Sequence, residues 1–494
     1  MPGAYDVAFI RALEAEAIAN VGEDTLMQRA ASGLAAAVAR EARKRRGGVY
    51  GSKIMILVGP GNNGGDALFA GTRLAGRGAA VTAVRCLGRP HGRGLAALLA
   101  AGGRLVDIND VDPADTSVWL GESKPDVAVD GILGIGGRPG LPDRVAMLAQ
   151  ALSDTRLPMV AVDLPSGVNA DTGAVPGASI RATHTITFGE KKPCHLLEPA
   201  RSRCGEIEVV DIGLGSGQVQ SGQLWLRETD EDELAMSWPY PDARSDKYSR
   251  GVVGVDVGSD QYPGAGVLCT YGAVYGGAGM VRFLGADKPA EIIRRVLPNV
   301  VFSPGRVQAN LFGSGWGDRP DGGELIARAL DSGLPAVIDA DGLKYLPEKV
   351  PATWLLTPHA GELARVLGQE RSEVTDDPVR AVRAAVERTG ATVLLKGATQ
   401  LVAGPNLDWV WVALAGPAWT GQAGSGDVLG GLCAALLAAG RAADRAAVLA
   451  ASLQALAARK HPGPLPPQRL AEFIAEEIGA LERRQQASLE GAGA

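Results

Sequence analysis

Residues 53–71 read KIMILVGPGNNGGDALFAG, which is an apolar run, a glycine-rich loop and the start of an amphipathic segment. The aliphatic residues of KIMILV predict a buried β-strand. Four glycines lie within GPGNNGGD, and glycine allows a tight turn and a close approach of the backbone to a ligand. A strand, a glycine loop and a helix in this order predict the edge of an open α/β sheet, where ligands bind.

Similar apolar runs alternate with helical segments along most of the chain, which predicts parallel sheets covered by helices on both faces. The pattern lapses at about residues 214–250 and restarts with different glycine loops. We therefore predict an α/β protein of two unlike domains, residues 1–215 and 224–485. A linker is predicted at 216–223, and a disordered tail at 486–494.

The composition of the 494-residue chain narrows the classes of function. The net charge of −6 argues against a basic face for nucleic acid. The most apolar stretch, 428–440, is shorter than the about 20 residues of a membrane span, and the charged N-terminus does not resemble a signal peptide. Five scattered cysteines have no zinc spacing and predict reduced thiols. We expect a soluble cytoplasmic protein that binds no nucleic acid and forms a homo-oligomer.

The first glycine loop has two interpretations. GPGNNG matches the G-x-G-x-x-G spacing of dinucleotide-binding folds, but Pro60 lies inside the turn and no carboxylate ends the next strand. A Walker loop is excluded because no Lys-Ser/Thr follows. Backbone amides at the helix start would bind an anion such as phosphate, with Asn62, Asn63 and Asp66 as further polar contacts. In the alternative, Asn and Gly serve only the turn and Asp66 caps the helix.

Polar residues also follow two later strands. VAVDGILGIGG places Asp130 at a strand end, and VAVDLPSGVNADTG places Asp163 and Ser166 at another. Because parallel strands end at the same edge of a sheet, we expect these residues to share a crevice with Asn63. Oxygen ligands from Asn, Asp and Ser suit a hard cation. Each acid could instead cap a turn.

A second glycine-rich turn, GQAGSGDVLGGLC at 421–433, opens an apolar helix. The amides of Gly424, Ser425 and Gly426 at the helix start predict an anion hole. Asp427 lies beside it, placed to take a proton from a hydroxyl group as a phosphoryl group arrives. The alternative is that Asp427 only stabilises the helix dipole.

Two further strand ends carry candidate residues. LTPHAGE presents His359 and Glu362, but a lone His-x-x-Glu lacks the further ligands of a zinc site and is more typical of a structural pair. LLKGATQ presents Lys396, which could meet a phosphate as a point charge. Alternatively, Lys396 is an edge lysine whose amine extends to solvent.

The motifs GNNGGDALFAG, VDGILGIGG and VAVDLPSGVNADTG resemble the Rossmann-like epimerase domain of the bifunctional NAD(P)H-hydrate repair enzymes, over residues 1–215. The resemblance implies that hydrated NADH or NADPH is the substrate and that Asp163 is the acid/base near the hydrated ring. It also implies a potassium ion held by Asn63, Asp130 and Ser166. The implied substrate-binding residues are Asn62, Asn63, Gly64, Gly65, Asp66, Gly134, Ile135, Gly136, Gly137, Arg138, Pro139, Gly140 and Asp163.

The second half resembles the ribokinase-like dehydratase domain of the same enzymes through YPGAGVL, FGSGWG, LTPHAGE, LLKGATQ and AGSGDVLGG. The implied contacts with the hydrated dinucleotide are Ala265, Gly317, His359 and Asp427, of which Asp427 is the catalytic base. The implied contacts with the phosphoryl donor, ADP or ATP, are Lys396, Gly397, Ala398, Thr399, Gln400, Gly424, Ser425 and Gly426. Glu362 stands where kinases of this fold keep a magnesium-associated carboxylate. Two departures are Ala67, where the family has Gly, and Gln422, which stands in place of the Thr-Gly/Ala step before GSGD.

Together the resemblances predict an enzyme that interconverts the R and S forms of hydrated NADH and NADPH and dehydrates the S form. One alternative is a sugar or vitamin kinase fused to a dinucleotide-binding domain, which would release a stable phosphorylated alcohol. Another is a dinucleotide-binding scaffold without catalysis, as related domains are in RNA-decapping scaffolds. A scaffold has no need of Asp163, so this alternative is disfavoured.

Overall fold

The computed structural model describes residues 3–112, 116–214 and 225–492. The chain divides into two compact units, Gly3–Trp225 and Leu226–Ala494. The predicted linker, 216–223, lies outside the described residues.

The N-terminal unit is built on one parallel sheet. The strands of the unit are β1 (Gly3–Ala4), β2 (Lys53–Val58), β3 (Ala80–Arg85), β4 (Arg104–Asp107), β5 (Val127–Gly131), β6 (Met159–Val162), β7 (His184–Phe188) and β8 (Glu206–Val210). The short β1 does not belong to this sheet. Strands β2 to β8 pair in the order β4-β3-β2-β5-β6-β7-β8, and every pairing is parallel. This is the strand order of a Rossmann-like fold, so that prediction is confirmed, and the order reverses between β2 and β5, where a ligand crevice forms.

Helices cover both faces of this sheet because its strands are apolar on both sides. They are α1 (Val7–Val21), α2 (Glu23–Arg46), α3 (Asn62–Ala75), α4 (Gly92–Ala100), α5 (Thr116–Ser123), α6 (Asp143–Asp154) and α7 (Arg201–Cys204). In β2, Ile54 and Ile56 pack in one hydrophobic cluster with α2 and α3, whereas Met55 and Leu57 pack in another with α6. This alternation explains why the strand reads as a continuous apolar run.

The glycines of the opening loop have two different functions. A Cβ atom at Gly59 would collide with the backbone after β5, and one at Gly64 would collide with the carbonyl oxygen of Gly59. Gly61 instead has a left-handed φ of 110° and open space around the position of its missing side chain. Part of the glycine density therefore serves backbone packing, and Gly61 leaves room in front of α3. The methyl group of Ala67 faces Gly131, where only a glycine fits against it.

The C-terminal unit has a second sheet. Its strands are β9 (Leu226–Glu228), β10 (Val252–Asp256), β11 (Met280–Phe283), β12 (Ala309–Phe312), β13 (Ala336–Ile338), β14 (Trp354–Leu356), β15 (Thr392–Leu395), β16 (Leu401–Ala403) and β17 (Val410–Val412). They pair in the order β9-β17-β16-β15-β14-β13-β12-β10-β11. Strands β10 to β15 are parallel as predicted, but β16 is antiparallel to both neighbours. The few residues between β15 and β16 are too short for a crossover, so they form a hairpin.

The last helix of the C-terminal unit extends into the segment predicted to be a disordered tail. The helices of the unit are α8 (Glu231–Ser237), α9 (Pro263–Tyr275), α10 (Asp287–Val296), α11 (Gly322–Asp331), α12 (Ala360–Leu367), α13 (Arg371–Asp376), α14 (Pro378–Thr389), α15 (Ser425–Ala438), α16 (Ala443–Lys460) and α17 (Pro467–Ala492). Because α17 continues to Ala492, the predicted disorder of the tail is wrong up to that residue. The stretch QQASLE contains mostly good helix formers, which extend the helix.

Helices α9 and α15 cross with their backbones in contact. A Cβ atom at Gly272 would overlap the carbonyl oxygen of Val428, and one at Gly431 would overlap that of Cys269. The two glycines therefore set the separation of these helices.

All five cysteines are buried free thiols, as expected. In the part of the chain that the structure describes, no helix combines the length and apolarity that a membrane span requires.

Candidate active sites

A cleft of about 770 Å³ lies at the carboxyl edge of the N-terminal sheet, after β2, β5, β6 and β7. The predicted residues that line it are Asn62, Asn63, Asp66, Gly134, Ile135, Gly136, Gly137, Arg138, Gly140 and Asp163. Arg11 and Glu14 of α1 and Met27 of α2 form the opposite wall, and the sequence analysis did not find them. Three predicted residues, Gly64, Gly65 and Pro139, do not line the cleft; the first two are buried in the first turn of α3.

Asp163 is held in this cleft by an ion pair that the sequence analysis missed. Its carboxylate accepts hydrogen bonds from Lys192 Nζ at 2.6 Å and Thr187 Oγ1 at 2.9 Å. Lys192 is only 1% exposed. Burial by itself raises the pKa of Asp163, but the Lys192 ammonium outweighs burial and holds the pKa below its usual range. The signal in the sequence was a pair of lysines soon after β7.

The backbone of Asp163 adopts a left-handed conformation with a φ of 65°, which is rare for a residue with a side chain. His195 Nε2 donates to the Asp163 carbonyl oxygen at 2.9 Å, and its Nδ1 accepts from the backbone N–H of Lys192 at 3.0 Å. Burial, with the nearby Lys192 charge, lowers the pKa of His195 to about 3, so the ring is neutral. His195 therefore supports both members of the ion pair through their backbones.

Asp66 is a second buried carboxyl group of the cleft. Among the described residues no side chain caps α3, so the interpretation of Asp66 as a helix cap is wrong. Burial raises the pKa of Asp66 well above its usual range, and the charges of Asp163 and Glu14 add to this. The environment of Asp66 therefore favours the protonated form, whereas that of Asp163 favours the ionised form.

Asp130 and Ser166 are in direct contact, and Asn63 and Ser166 both form hydrogen bonds with the backbone of Leu133. The Asp130 carboxylate accepts from Ser166 Oγ at 2.6 Å and from the Ser166 backbone N–H at 2.7 Å. The Asn63 amide donates to the carbonyl oxygens of Leu133 at 3.0 Å and Val162 at 2.7 Å. Burial raises the pKa of Asp130 to about 6, although the hydrogen bonds from Ser166 oppose the shift.

The second predicted site lies where α15 begins. Its N-cap residue, Gly424, has a left-handed φ of 90°, and no side chain caps the described helix end. Of the three predicted amides, that of Ser425 donates to Gln422 O at 3.4 Å, whereas the described hydrogen bonds leave that of Gly426 open. The Ser425 hydroxyl is also used internally, because it donates to Thr420 O at 2.7 Å. The described hydrogen bonds leave the amide of Gly424 open as well, so the amides of Gly424 and Gly426 are the available anion donors of the turn.

Asp427 lies in the first turn of α15 beside the amide of Gly426. Burial and, after it, the charge of Asp339 raise the pKa of its carboxyl group to about 7 against the opposing charge of Lys396. A carboxyl group with such a pKa can accept a proton at neutral pH.

Lys396 is not an edge lysine that reaches into solvent. Its Nζ donates to Asp339 Oδ1 at 2.6 Å. Asp339 lies directly after β13 and is absent from the predicted site, although the sequence places it after an apolar run. Ion pairing to this buried carboxylate helps to raise the pKa of Lys396 although burial opposes it, so the lysine is charged.

His359 and Glu362 form a capping box at the start of α12. His359 Nδ1 accepts from the backbone N–H of Gly361 at 3.0 Å, and Glu362 Oε2 accepts from the backbone N–H of His359 at 2.8 Å. This pair therefore has the structural function that its spacing suggested. The His359 side chain remains largely exposed and free to contact a ligand.

Ala265 and Gly317 come together at the other end of the site. Gly315 packs directly against Ala265, and the Tyr262 ring lies beside Gly317, which has a left-handed φ of 68°. The remaining predicted residues, Gly397 to Gln400, form the hairpin between β15 and β16. All these residues follow carboxyl ends of strands in one sheet, as expected.

Comparisons with known proteins identify both units. Residues 23–194 match the family model of the YjeF-related protein N-terminus, and residues 253–475 match that of NAD(P)H-hydrate dehydratase. The bifunctional NAD(P)H-hydrate repair enzyme Nnr of Mycobacterium tuberculosis is 43% identical over 448 residues, which is 88% of this chain and 89% of that protein. The enzyme of the same name from Mycobacterium leprae is 41% identical over 449 residues, with the same coverage of 88% and 89%.

Among solved structures, an ADP/ATP-dependent NAD(P)H-hydrate dehydratase from Bacillus subtilis, co-crystallised with ATP/Mg²⁺, is similar to 52% of this chain and 97% of that one. Its TM-score is 0.48 and its sequence identity 23%. The identity to the mycobacterial enzymes extends over both units, and on that ground the chain belongs to the family of bifunctional NAD(P)H-hydrate repair enzymes.

Proposed function

We propose that the N-terminal unit interconverts the R and S forms of hydrated NADH and NADPH, and that the C-terminal unit dehydrates the S form with ADP or ATP. The observation that carries the proposal is that each unit places a buried or half-buried aspartate, Asp163 or Asp427, at the carboxyl edge of its own sheet. Membership of the family over 88% of the chain supports the same assignment.

Epimerisation at ring carbon six needs a proton donor and a proton acceptor. The C6–O bond breaks as the hydroxyl leaves with an added proton as water, and the ring nitrogen supplies the electron pair that forms a conjugated iminium. Water then adds to the other face and loses a proton. Asp66, whose pKa is raised by burial, would give the first proton, and Asp163, whose ionised form Lys192 favours, would take the second.

Asn63, Asp130 and Ser166 would hold a potassium ion below this cleft. Their oxygen atoms fit a hard cation, and the described partners of the buried Asp130 carboxylate include no cationic side chain. Gly134 keeps space beside Asn63 Oδ1, because a Cβ atom there would collide with it. When bound, the ion offsets the negative charge of Asp130 and of substrate phosphates.

Dehydration in the C-terminal unit proceeds by phosphorylation and elimination. Asp427 takes the proton of the six-hydroxyl, and the hydroxyl oxygen bonds the terminal phosphorus of the donor while the bond to the departing nucleotide breaks. Phosphate then leaves C6 and a proton leaves C5, which restores the dihydropyridine. The N–H of Gly426 and the Lys396 ammonium, which lies 3.4 Å from the position of a Cβ atom on Gly426, would stabilise the charge of the transferring phosphoryl group.

Magnesium would accompany the nucleotide instead of occupying a preformed protein cage. The described residues contain no group of three or more His, Cys, Asp or Glu side chains placed to hold a metal. Glu362 is engaged in its capping box, so it can offer only one carboxylate oxygen. The phosphates would supply most ligands, as is usual for magnesium, which neutralises donor charge when bound.

The test is to give the purified chain a mixture of hydrated NADH epimers with magnesium and ADP or ATP. Reduced-nicotinamide absorbance should return until both epimers are consumed. A stable phosphorylated alcohol would instead indicate a kinase, and consumption of neither epimer would reject the proposal. A homo-oligomeric state and a cytoplasmic location remain predictions, which sedimentation and fractionation would check.

A further inference from the structure

Asp339, which follows β13, forms hydrogen bonds with residues that follow three other strands of the C-terminal sheet, β12, β14 and β15. It is 2% exposed and accepts three side-chain hydrogen bonds. Ser314 Oγ, which follows β12, donates at 2.9 Å, and Thr357 Oγ1, which follows β14, donates at 2.8 Å. Lys396 Nζ, which follows β15, donates at 2.6 Å. Such a carboxylate is fixed in both position and orientation.

This arrangement determines where the Lys396 ammonium stands. One of its three N–H groups points to Asp339, so two remain for other partners. Lys396 Nζ lies 3.4 Å from the position that a Cβ atom on Gly426 would occupy. The ammonium is therefore held against the first turn of α15, next to the open amide.

We propose that Asp339 is a positioning residue for phosphoryl transfer: it holds Lys396 at Gly426 and keeps that ammonium from pairing with Asp427. The inference rests on the proposed dehydratase function. Without Asp339, the carboxylates that still act on the buried ammonium would be those of Glu362 and Asp427, and a salt bridge to Asp427 would lower the basicity of the proton acceptor.

The charges around Asp427 support separate functions for Lys396, which would bind phosphate, and Asp427, which would accept the proton. The described ionisable groups that face Asp427 are Asp339, Lys396 and the thiol of Cys269 on α9. After burial, the Asp339 charge is the main cause that raises the pKa of Asp427, and Lys396 lowers it. Glu362 acts on Lys396 and raises its pKa together with Asp339. A base with a nearly neutral pKa suits proton transfer from a hydroxyl group.

The test is Asp339→Asn, measured by the pH profile of kcat/KM for dehydration and by calorimetric titration with ADP. Removal of the negative neighbour and release of Lys396 toward Asp427 both lower the pKa of the base. The acid limb should therefore move to lower pH by about one unit. Affinity for ADP and the plateau kcat/KM should each fall about tenfold or more, because Lys396 is no longer held at the phosphates.

Asp256→Asn is the matched control. Asp256 is also a buried acid at a strand end of the same sheet, 6% exposed and paired with Arg319. It makes no described contact with Lys396, so its loss should leave the acid limb in place. An unmoved acid limb in the Asp339 variant, or an equal shift in both variants, would overturn the proposal.

If Asp339→Asn does not fold, a second variant tests the same positioning function. Ser314→Ala combined with Thr357→Val keeps the Asp339 charge but removes two of its three donors. We expect a several-fold rise of KM for ADP with a smaller change of kcat; a fall of kcat alone would contradict the inference. If the wild-type chain binds ADP but does not dehydrate the hydrates, the proposed function fails, while the ADP affinities still test Asp339.

Discussion

The two candidate aspartates lie in opposite electrostatic environments. Asp163 directly follows β6, whereas Asp427 lies in the first turn of α15. Asp163 has a lysine partner at 2.6 Å, and its pKa lies below the usual range. In the other unit the corresponding lysine, Lys396, is paired at 2.6 Å with Asp339 and not with Asp427. The pKa of Asp427 is about 7 as a result of burial and of the Asp339 charge. The partner of the lysine thus decides whether the aspartate is a fixed charge or a titrating base.

The largest effect should come from Asp427→Asn. Dehydration should fall by about 10³-fold or more, because the variant has no group to take the hydroxyl proton. Interconversion of the epimers should be unchanged, since it takes place in the other unit. Chromatography of the two epimers, with and without ADP, measures both activities. Loss of interconversion in a folded variant would refute the separation of the two sites.

Asp163→Asn should give the converse result, with interconversion reduced by about 10²–10⁴-fold and only one epimer consumed.

Lys192→Met should also stop interconversion, and it should lower the free energy of unfolding by roughly 3–5 kcal/mol because it leaves a buried carboxylate unpaired. Lys192→Arg, which keeps the charge, serves as the control in urea unfolding. A fully active Lys192→Met variant would show that the ion pair has no part in the reaction.

The pH profiles should distinguish the two aspartates in the wild-type chain. Dehydration needs ionised Asp427, whose pKa is about 7, so kcat/KM should fall about tenfold per unit below that pH. Interconversion needs ionised Asp163, whose pKa is below the usual carboxyl range, so it should persist at pH 5.5. Initial rates at constant ionic strength between pH 5 and 9 measure both limbs. Coincident acid limbs would contradict the assigned environments.

The smallest effect should come from the cation. Replacing potassium with choline should slow interconversion several-fold and lower the melting temperature by a few degrees, as expected when a weak ligand of the folded state is removed. Dehydration assayed with the S form alone should not change. Asp130→Asn should abolish the dependence on potassium, and equal rates in both salts would reject the site.

The sequence was sufficient to predict both sheets, because buried parallel strands are continuous apolar runs such as KIMILV. It also placed Asp163 at a strand end and Asp427 in the first turn of a helix. It missed the short strands β4 and β9, which lack that apolar signal. It also missed Lys192 and Asp339, because each is recognised only by a tertiary partner 29 or 57 residues away in the chain. Side-chain pairs of this kind depend on strand order, which local patterns do not encode.

The backbone crossing of α9 and α15 at Gly272 and Gly431 has a mechanical consequence. Ala265 sits near one end of α9, and Asp427 sits near the start of α15. Helices in backbone contact cannot slide past each other without a steric clash. Ala265, which would contact the dinucleotide, and Asp427, which would accept the proton, therefore belong to one rigid unit. Any closure around the nucleotide therefore has to come from elements outside this helix pair.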